Sequence, residues 1–176
     1  MMTIVIFGPP LSGKTTLLRA FAEQKGSVVA HREGGDHDTA PVIYFVRLAI
    51  GDSDIELATI PGSPWNTSDW NPLLSAANGL VATFDLQRAR EIEMKSARDQ
   101  IDPYLQGRPY AAILTKVDLC PGEPTAKCMG IDEAIDRYRL HDWRIFASGK
   151  SEPATEALQF IVDASYGMPP ASSRSV

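Results

Sequence analysis

Cysteine is scarce in this 176-residue sequence: only Cys120 and Cys128 occur. They lie in a Pro/Gly-rich connection, without CxxC spacing and without a neighbouring histidine pair. That excludes a disulfide framework or a zinc site read from spacing, and suggests free thiols in a reducing compartment. Runs of Lys or Arg are missing too, and the formal net charge is -5 with a pI near 5.2. Nucleic acid and membrane surfaces are therefore not expected partners. The apolar run before Gly8 is short and has neither a basic leader nor a cleavage site, so it reads as a buried first strand rather than a signal peptide. No myristoylation or prenylation signal is seen, and the expectation is a cytoplasmic protein without a membrane anchor. Internal repeats and coiled-coil heptads are also lacking.

What is present is a core-forming composition, 44% hydrophobic, enough for one domain of this length. Strand-length apolar runs alternate with amphipathic segments: "TIVIF", a helix near 14 to 25, "VIYFVRLAI", "IELATI", "GLVATFD", a helix near 87 to 106, "YAAILTK", a helix near 131 to 140, "WRIFAS" and a helix near 153 to 165. This order predicts an α/β fold, a mostly parallel six-stranded sheet with helices on both faces. Only "GDS" separates "PVIYFVRLAI" from "DIELATI", so these two should form a hairpin and make one edge strand antiparallel. The domain is expected to cover 1–166, with a small, polar, disordered tail over 167–176.

The segment Gly8, Pro9, Pro10, Leu11, Ser12, Gly13, Lys14, Thr15 fits G-x-x-x-x-G-K-[ST], directly after a predicted strand and opening a predicted helix, with Thr16 following. Glycines let the chain curl so that backbone N–H groups point inward at a phosphate, and the helix N-terminus adds its positive end. Lys14 would reach the outer phosphates, and the Thr15 hydroxyl suits a hard cation such as Mg²⁺. A chance Gly-rich turn would not also supply the Lys-Thr pair at the right place.

A second strand end, "AAILTKVD", delivers Thr115, Lys116, Val117 and Asp118. A carboxylate at Asp118 can accept two N–H bonds from the edge of guanine, while the Lys116 stem covers the ring face. Alone, a solvated Lys and Asp after a strand is the commoner arrangement; the position at a strand C-terminal end favours a ligand. "WRIFAS" ends in Ser148, Gly149 and Lys150, a small-residue turn able to present N–H groups to the guanine carbonyl.

Taken in order, the phosphate loop, a Thr-bearing segment, a hairpin, "PG" at a strand end, T-K-x-D and a last small-residue loop resemble the Ras-like small GTPases over about residues 2 to 165. The "T-I-P-G" strand end is similar to bacterial polarity GTPases of the MglA type. The resemblance implies a GTP/GDP switch with Mg²⁺, held by Thr15, by Thr39 and, through water, by Thr59. It implies that Gly62 contacts the γ-phosphate and that Ser63 stands where most relatives carry a water-orienting glutamine. Serine is too short for that task, so intrinsic hydrolysis should be slow and a partner should be needed. Arg32, or less readily Arg47, is a candidate arginine in cis. A roadblock-domain regulator, an effector protein and a role in cell polarity are the partners and pathway that the MglA likeness implies.

Other features have ordinary alternatives. The Gly- and charge-rich "SVVAHREGGDHDTAP" should be mobile, and its His31, Asp36, His37 and Asp38 are solvated charge more readily than a metal site. Trp65 and Trp70 are either partner contacts or core cover. "FDLQRAREIEMKSARDQI" reads as a helix with a solvated face, and Met129, His141 and Trp143 as core or connection residues. Two rival functions stand beside the switch: a nucleotide-binding interaction module that hardly hydrolyses GTP, and a P-loop kinase or ATPase, which would have no need of Asp118.

Overall fold

The computed structural model describes residues 1–25, 27, 29–33, 42–60, 67–85, 96, 99, 102–104, 107–116, 145–148 and 151–166. Its strands are β1 (Met2–Phe7), β2 (Ala30–Glu33), β3 (Val42–Ile50), β4 (Ser53–Thr59), β5 (Gly79–Asp85), β6 (Tyr110–Thr115) and β7 (Ile145–Ser148). The helices are α1 (Lys14–Gln24), α2 (Thr67–Ala76) and α3 (Ser151–Ser165). Residues 96, 99 and 102–104 are helical too, inside the stretch expected as a helix near 87 to 106. The helix expected near 131 to 140 and the tail over 167–176 lie outside the described residues.

One sheet runs in the order β2-β3-β4-β1-β5-β6-β7. β4, β1, β5, β6 and β7 are mutually parallel, whereas β3 is antiparallel to β4 and β2 antiparallel to β3. Two expectations are corrected here. The sheet has seven strands among the described residues rather than six, and the antiparallel strand β3 is not at the edge, because β2 pairs along its outer side. The outer edge of β3 carries backbone donors and acceptors that the hairpin with β4 does not use, and residues 42–45 pair there with β2, since unpaired main chain at a sheet edge attracts another strand. The polar, Gly-rich sequence around "AHRE" hides that strand.

Burial follows the pairing. β5 and β6 are buried at every position, as strands covered on both faces must be. β3 instead alternates, with Val46, Leu48 and Ile50 inward and Arg47 and Ala49 outward. Arg47 sits opposite Glu56 in the hairpin register and pairs with it at 3.1 Å. It is therefore engaged three residues along the strand from Tyr44, the residue facing Thr59.

On one face, Leu17, Leu18, Phe21 and Ala22 of α1 and Ala157, Leu158, Ile161 and Val162 of α3 share a core with Ile4, Ile6, Leu57, Val81 and Ile113. α2, absent from the sequence expectations, lies against β1, with Trp70 and Leu74 buried. Trp70 is thus core cover and not an exposed contact. Pro72 within α2 removes one helical N–H and reads as a breaker, but two buried apolar side chains one turn apart hold the helix in place. Its last turn is capped from outside: the Arg108 guanidinium donates to the carbonyls of Leu74 and Ser75 at 2.8 Å each. α3 begins two residues before the expected start, with Pro153 in its first turn, where the missing N–H has no helical partner anyway.

Candidate functional site

All five parallel strands end on the same edge of the sheet, and chain direction reverses there: after β1 the chain turns to β2, β3 and β4 on one side, then crosses to β5 on the other. Ligands in open α/β sheets bind at such a divide. The segment Gly8 to Thr15 connects β1 to α1 at that point.

The loop is shaped by close approach. A Cβ on Gly8 would stand 2.3 Å from the Thr83 carbonyl oxygen, so only glycine lets β1 leave the sheet so near to β5. Gly13, at φ 89, is the N-cap of α1 and makes no side-chain cap; the first turn of α1 has no acidic residue. The first N–H groups of α1 consequently have no side-chain acceptor from the cap, the arrangement that suits an anion. Lys14 is 7% exposed, and its ammonium donates to the carbonyls of Gly8 (2.9 Å) and Pro9 (2.7 Å) and to Ser12 Oγ (3.4 Å). Burial lowers its pKa from 10.5 to about 8. Thr15 is half-buried, Thr16 exposed, and the Thr15 hydroxyl makes no hydrogen bond among the described residues. Pro10 and Leu11 form the exposed tip.

The second strand end is fastened to this loop. Thr115 Oγ1, from β6, donates to the Ser12 carbonyl at 2.7 Å, across 103 positions of sequence. Lys116 Nζ donates to the Leu11 carbonyl at 2.9 Å and forms an ion pair with Asp85, the last residue of β5, at 2.7 Å. Leu11 and Lys116 are the two non-glycine residues with positive φ among those described, 62° and 60°. Each bears backbone strain of order 1 kcal/mol or more, and the hydrogen bond between them joins the two strained points. Ser148 ends β7 opposite Thr115 in the register.

Thr59 ends β4, on the other side of β1. It is 3% exposed and its hydroxyl donates to the Tyr44 carbonyl at 3.4 Å. Arg32 and His31 lie on β2, facing Ile43 and Tyr44. Thr39, Gly62, Ser63, Asp118, Gly149 and Lys150 lie outside the described residues, as do Trp65, Cys120 and Cys128. Among the described residues, no three His, Cys, Asp or Glu side chains gather as a metal site, and no helix is long and apolar enough to cross a membrane.

The structure brings Thr115 and Lys116 against the loop that carries Lys14; sequence reasoning named these three and did not name Asp85 or Thr83. An acidic residue closing an apolar strand was the available signal for Asp85; for Thr83, inside "GLVATFD", there was none.

No protein-family model matches the sequence, and no curated protein matches it. Solved structures do resemble it. A bacterial selenocysteine-specific elongation factor, EF-Sec, superimposes with a TM-score of 0.65 at 16% identity, over 93% of this chain and 29% of that one. The ADP-ribosylation-factor-like small COPII coat GTPase SAR1 of Encephalitozoon cuniculi, determined with GDP, gives 0.58 at 16% identity, over 94% of this chain and 76% of that one. The present chain therefore spans under a third of the length of EF-Sec. At these identities the likeness is one of fold alone, an α/β fold shared with these two structures.

Proposed function

We propose that this chain, as a single domain over residues 1–166, binds GTP and GDP with Mg²⁺ and acts as a nucleotide-controlled switch with slow intrinsic hydrolysis. The observation that carries the reading is the fastening of Thr115 and Lys116 to the carbonyls of Ser12 and Leu11. A phosphate loop and a base-recognition strand end lie within hydrogen-bond reach of each other, so one ligand with phosphates and a base can span both.

The residues fit such a ligand. Lys14 is a buried ammonium held by its own loop, able to exchange a hydrogen bond for a phosphate oxygen and to stabilise charge that develops during hydrolysis. The Thr15 hydroxyl, which makes no hydrogen bond among the described residues, would with Thr39 hold Mg²⁺, which when bound neutralises phosphate charge. Asp118 would take the guanine N–H pair, and Ser148, Gly149 and Lys150 would close over the base. Gly62 would meet the γ-phosphate. One fold neighbour, SAR1, is a GTP-binding protein by title and was determined with GDP, which adds support of the weaker, fold-level kind.

Slow hydrolysis is favoured by Thr59: with its proton given to Tyr44 its lone pairs can accept from a metal-bound water, but it is uncharged and adds none of the attraction for the metal that a carboxylate would supply. Ser63 in place of a longer amide points the same way. A regulator or effector is then needed to complete the chemistry, with Arg32 as the candidate in cis. The narrower MglA likeness, a roadblock-type regulator and a role in bacterial polarity rest on "T-I-P-G" alone. In the second reading, favoured by the same two residues, the chain binds nucleotide as an interaction module and turns it over hardly at all.

Asp118→Ala separates these from an ATP-directed P-loop enzyme. The variant is expected to lose GDP affinity by about 100-fold, two charge-assisted hydrogen bonds being removed, with little change for ATP. Unaltered GDP affinity, with ATP bound as well as GDP, would remove the guanine assignment. Single-turnover hydrolysis with and without candidate regulators then distinguishes switch from module.

A further inference from the structure

The phosphate loop is also fastened to β5 by two hydroxyls that the proposed nucleotide chemistry does not use. Ser12 Oγ and Thr83 Oγ1 lie 2.8 Å apart, and both residues are buried, at 1% and 0% exposure. Thr83 Oγ1 is in turn 3.3 Å from the Phe7 carbonyl, and Ser12 Oγ is 3.4 Å from Lys14 Nζ. Each hydroxyl has one proton, a carbonyl can only accept, and an ammonium can only donate. Those constraints leave one order. Lys14 donates to Ser12, Ser12 to Thr83, and Thr83 to the main chain of β1.

We infer that Thr83 is a positioning residue for the phosphate site: through Ser12 it fixes where the Lys14 ammonium rests. The inference builds on the reading of Gly8 to Thr15 as a phosphate loop. Burying two hydroxyls away from water is unfavourable unless both are satisfied, whereas an apolar pair of similar shape would pack here without that cost. What the hydroxyls add is direction. Because Thr83 gives its proton to Phe7, Ser12 must give its own to Thr83, and the Ser12 lone pairs are left facing Lys14. The ammonium then has an acceptor for each of its three protons: the carbonyls of Gly8 and Pro9 and Ser12 Oγ. The bond to Ser12 is the longest of the three and is the one exchanged for a phosphate oxygen on binding. With valine at 83 the Ser12 proton loses its acceptor and the hydroxyl is no longer held in one orientation, so the third acceptor of Lys14, and with it the resting place of the ammonium, is no longer fixed.

The test uses the full chain in three variants, Thr83→Val, Thr83→Ser and Ser12→Ala, each checked by thermal unfolding. In ¹⁵N-lysine-labelled protein without nucleotide, the Lys14 ammonium signal is assigned by its loss in Lys14→Met. It is expected to shift or broaden in Thr83→Val and Ser12→Ala and to return to its original position in Thr83→Ser; an unchanged signal in Thr83→Val overturns the inference. The second arm measures Mg²⁺·GDP affinity. Thr83→Val should weaken it about three- to tenfold, the worth of one such hydrogen bond, and should change it less than about twofold when Lys14 is already Met, since effects acting through one residue do not add. The same loss in both backgrounds means simple packing and overturns the positioning role. A wild-type chain that binds no GDP removes the nucleotide reading, and the ammonium signal still decides the link from Thr83 to Lys14.

Discussion

Two strand ends lie on the same edge of the sheet on either side of β1, and they differ in kind. At the end of β6, Thr115 donates at 2.7 Å to the phosphate loop and Lys116 ties Leu11 to Asp85. At the end of β4, the Thr59 hydroxyl makes one hydrogen bond among the described residues, at 3.4 Å to a neighbouring strand, and carries no charge. One end is a network of charge-assisted hydrogen bonds; the other is a packed sheet terminus. In the proposed function the first end holds the nucleotide and the second serves metal-assisted attack, so the contrast between them is what that proposal predicts as tight binding with slow hydrolysis.

The comparison breaks most readily at its strongest point. Lys14→Met should weaken Mg²⁺·GDP binding by about 100-fold, since hydrogen bonds to a charged group are worth about twice neutral ones. The variant should nevertheless be no less thermally stable than wild type, because the buried ammonium is disfavoured by its surroundings. Titration with a fluorescent GDP analogue and a thermal scan report both. A smaller effect follows from Asp85→Asn, which leaves Lys116 without its 2.7 Å ion partner. GDP release should speed up about tenfold, less than for a fully buried pair because Lys116 is partly exposed.

Proton linkage gives an effect of similar size with a defined sign. The Lys14 pKa in the folded chain is about 8, below its unfolded value of 10.5. Between these limits the unfolded chain holds the extra proton, so this group adds stability as pH rises through the window and withholds it below about 8. Phosphate binding needs the charged form. GDP affinity should therefore be flat below that point and fall by about tenfold between pH 7 and 9, a loss that Lys14→Met should not show.

The subtlest contrast uses one chemical change at both ends. Thr115→Val removes a short bond to the loop and should raise the GDP release rate about fivefold; Thr59→Val removes a long bond inside the sheet and should change it less than about twofold. Equal effects would erase the distinction between the two ends.

The loop from Gly8 to Thr15 was legible in the sequence because its backbone path admits few residue types: Gly8 abuts the Thr83 carbonyl and Gly13 takes a positive φ. Thr115 and Lys116 were legible for a related reason, their place at the end of an apolar strand. Asp85 and Thr83 were not, because their partners are remote in sequence and no spacing links Ser12 to Thr83 or Lys116 to Asp85. α2 was hidden by Pro72, whose local signal is overridden by burial of Trp70 and Leu74 and by the Arg108 cap. β2 was hidden in the same way, since "AHRE" has strand character only when the free edge of β3 is there to pair with it.

The central claim is that the two tied motifs form one guanine-nucleotide site. Displacement of a bound fluorescent GDP analogue from the wild-type chain, in Mg²⁺, by unlabelled GTP, GDP and ATP tests it most directly. GTP and GDP should displace the probe at similar concentrations, with ATP failing at about 100-fold higher, the discrimination expected of a site that pairs with a base edge. Displacement by ATP as readily as by GTP, or a probe that never binds, would contradict it.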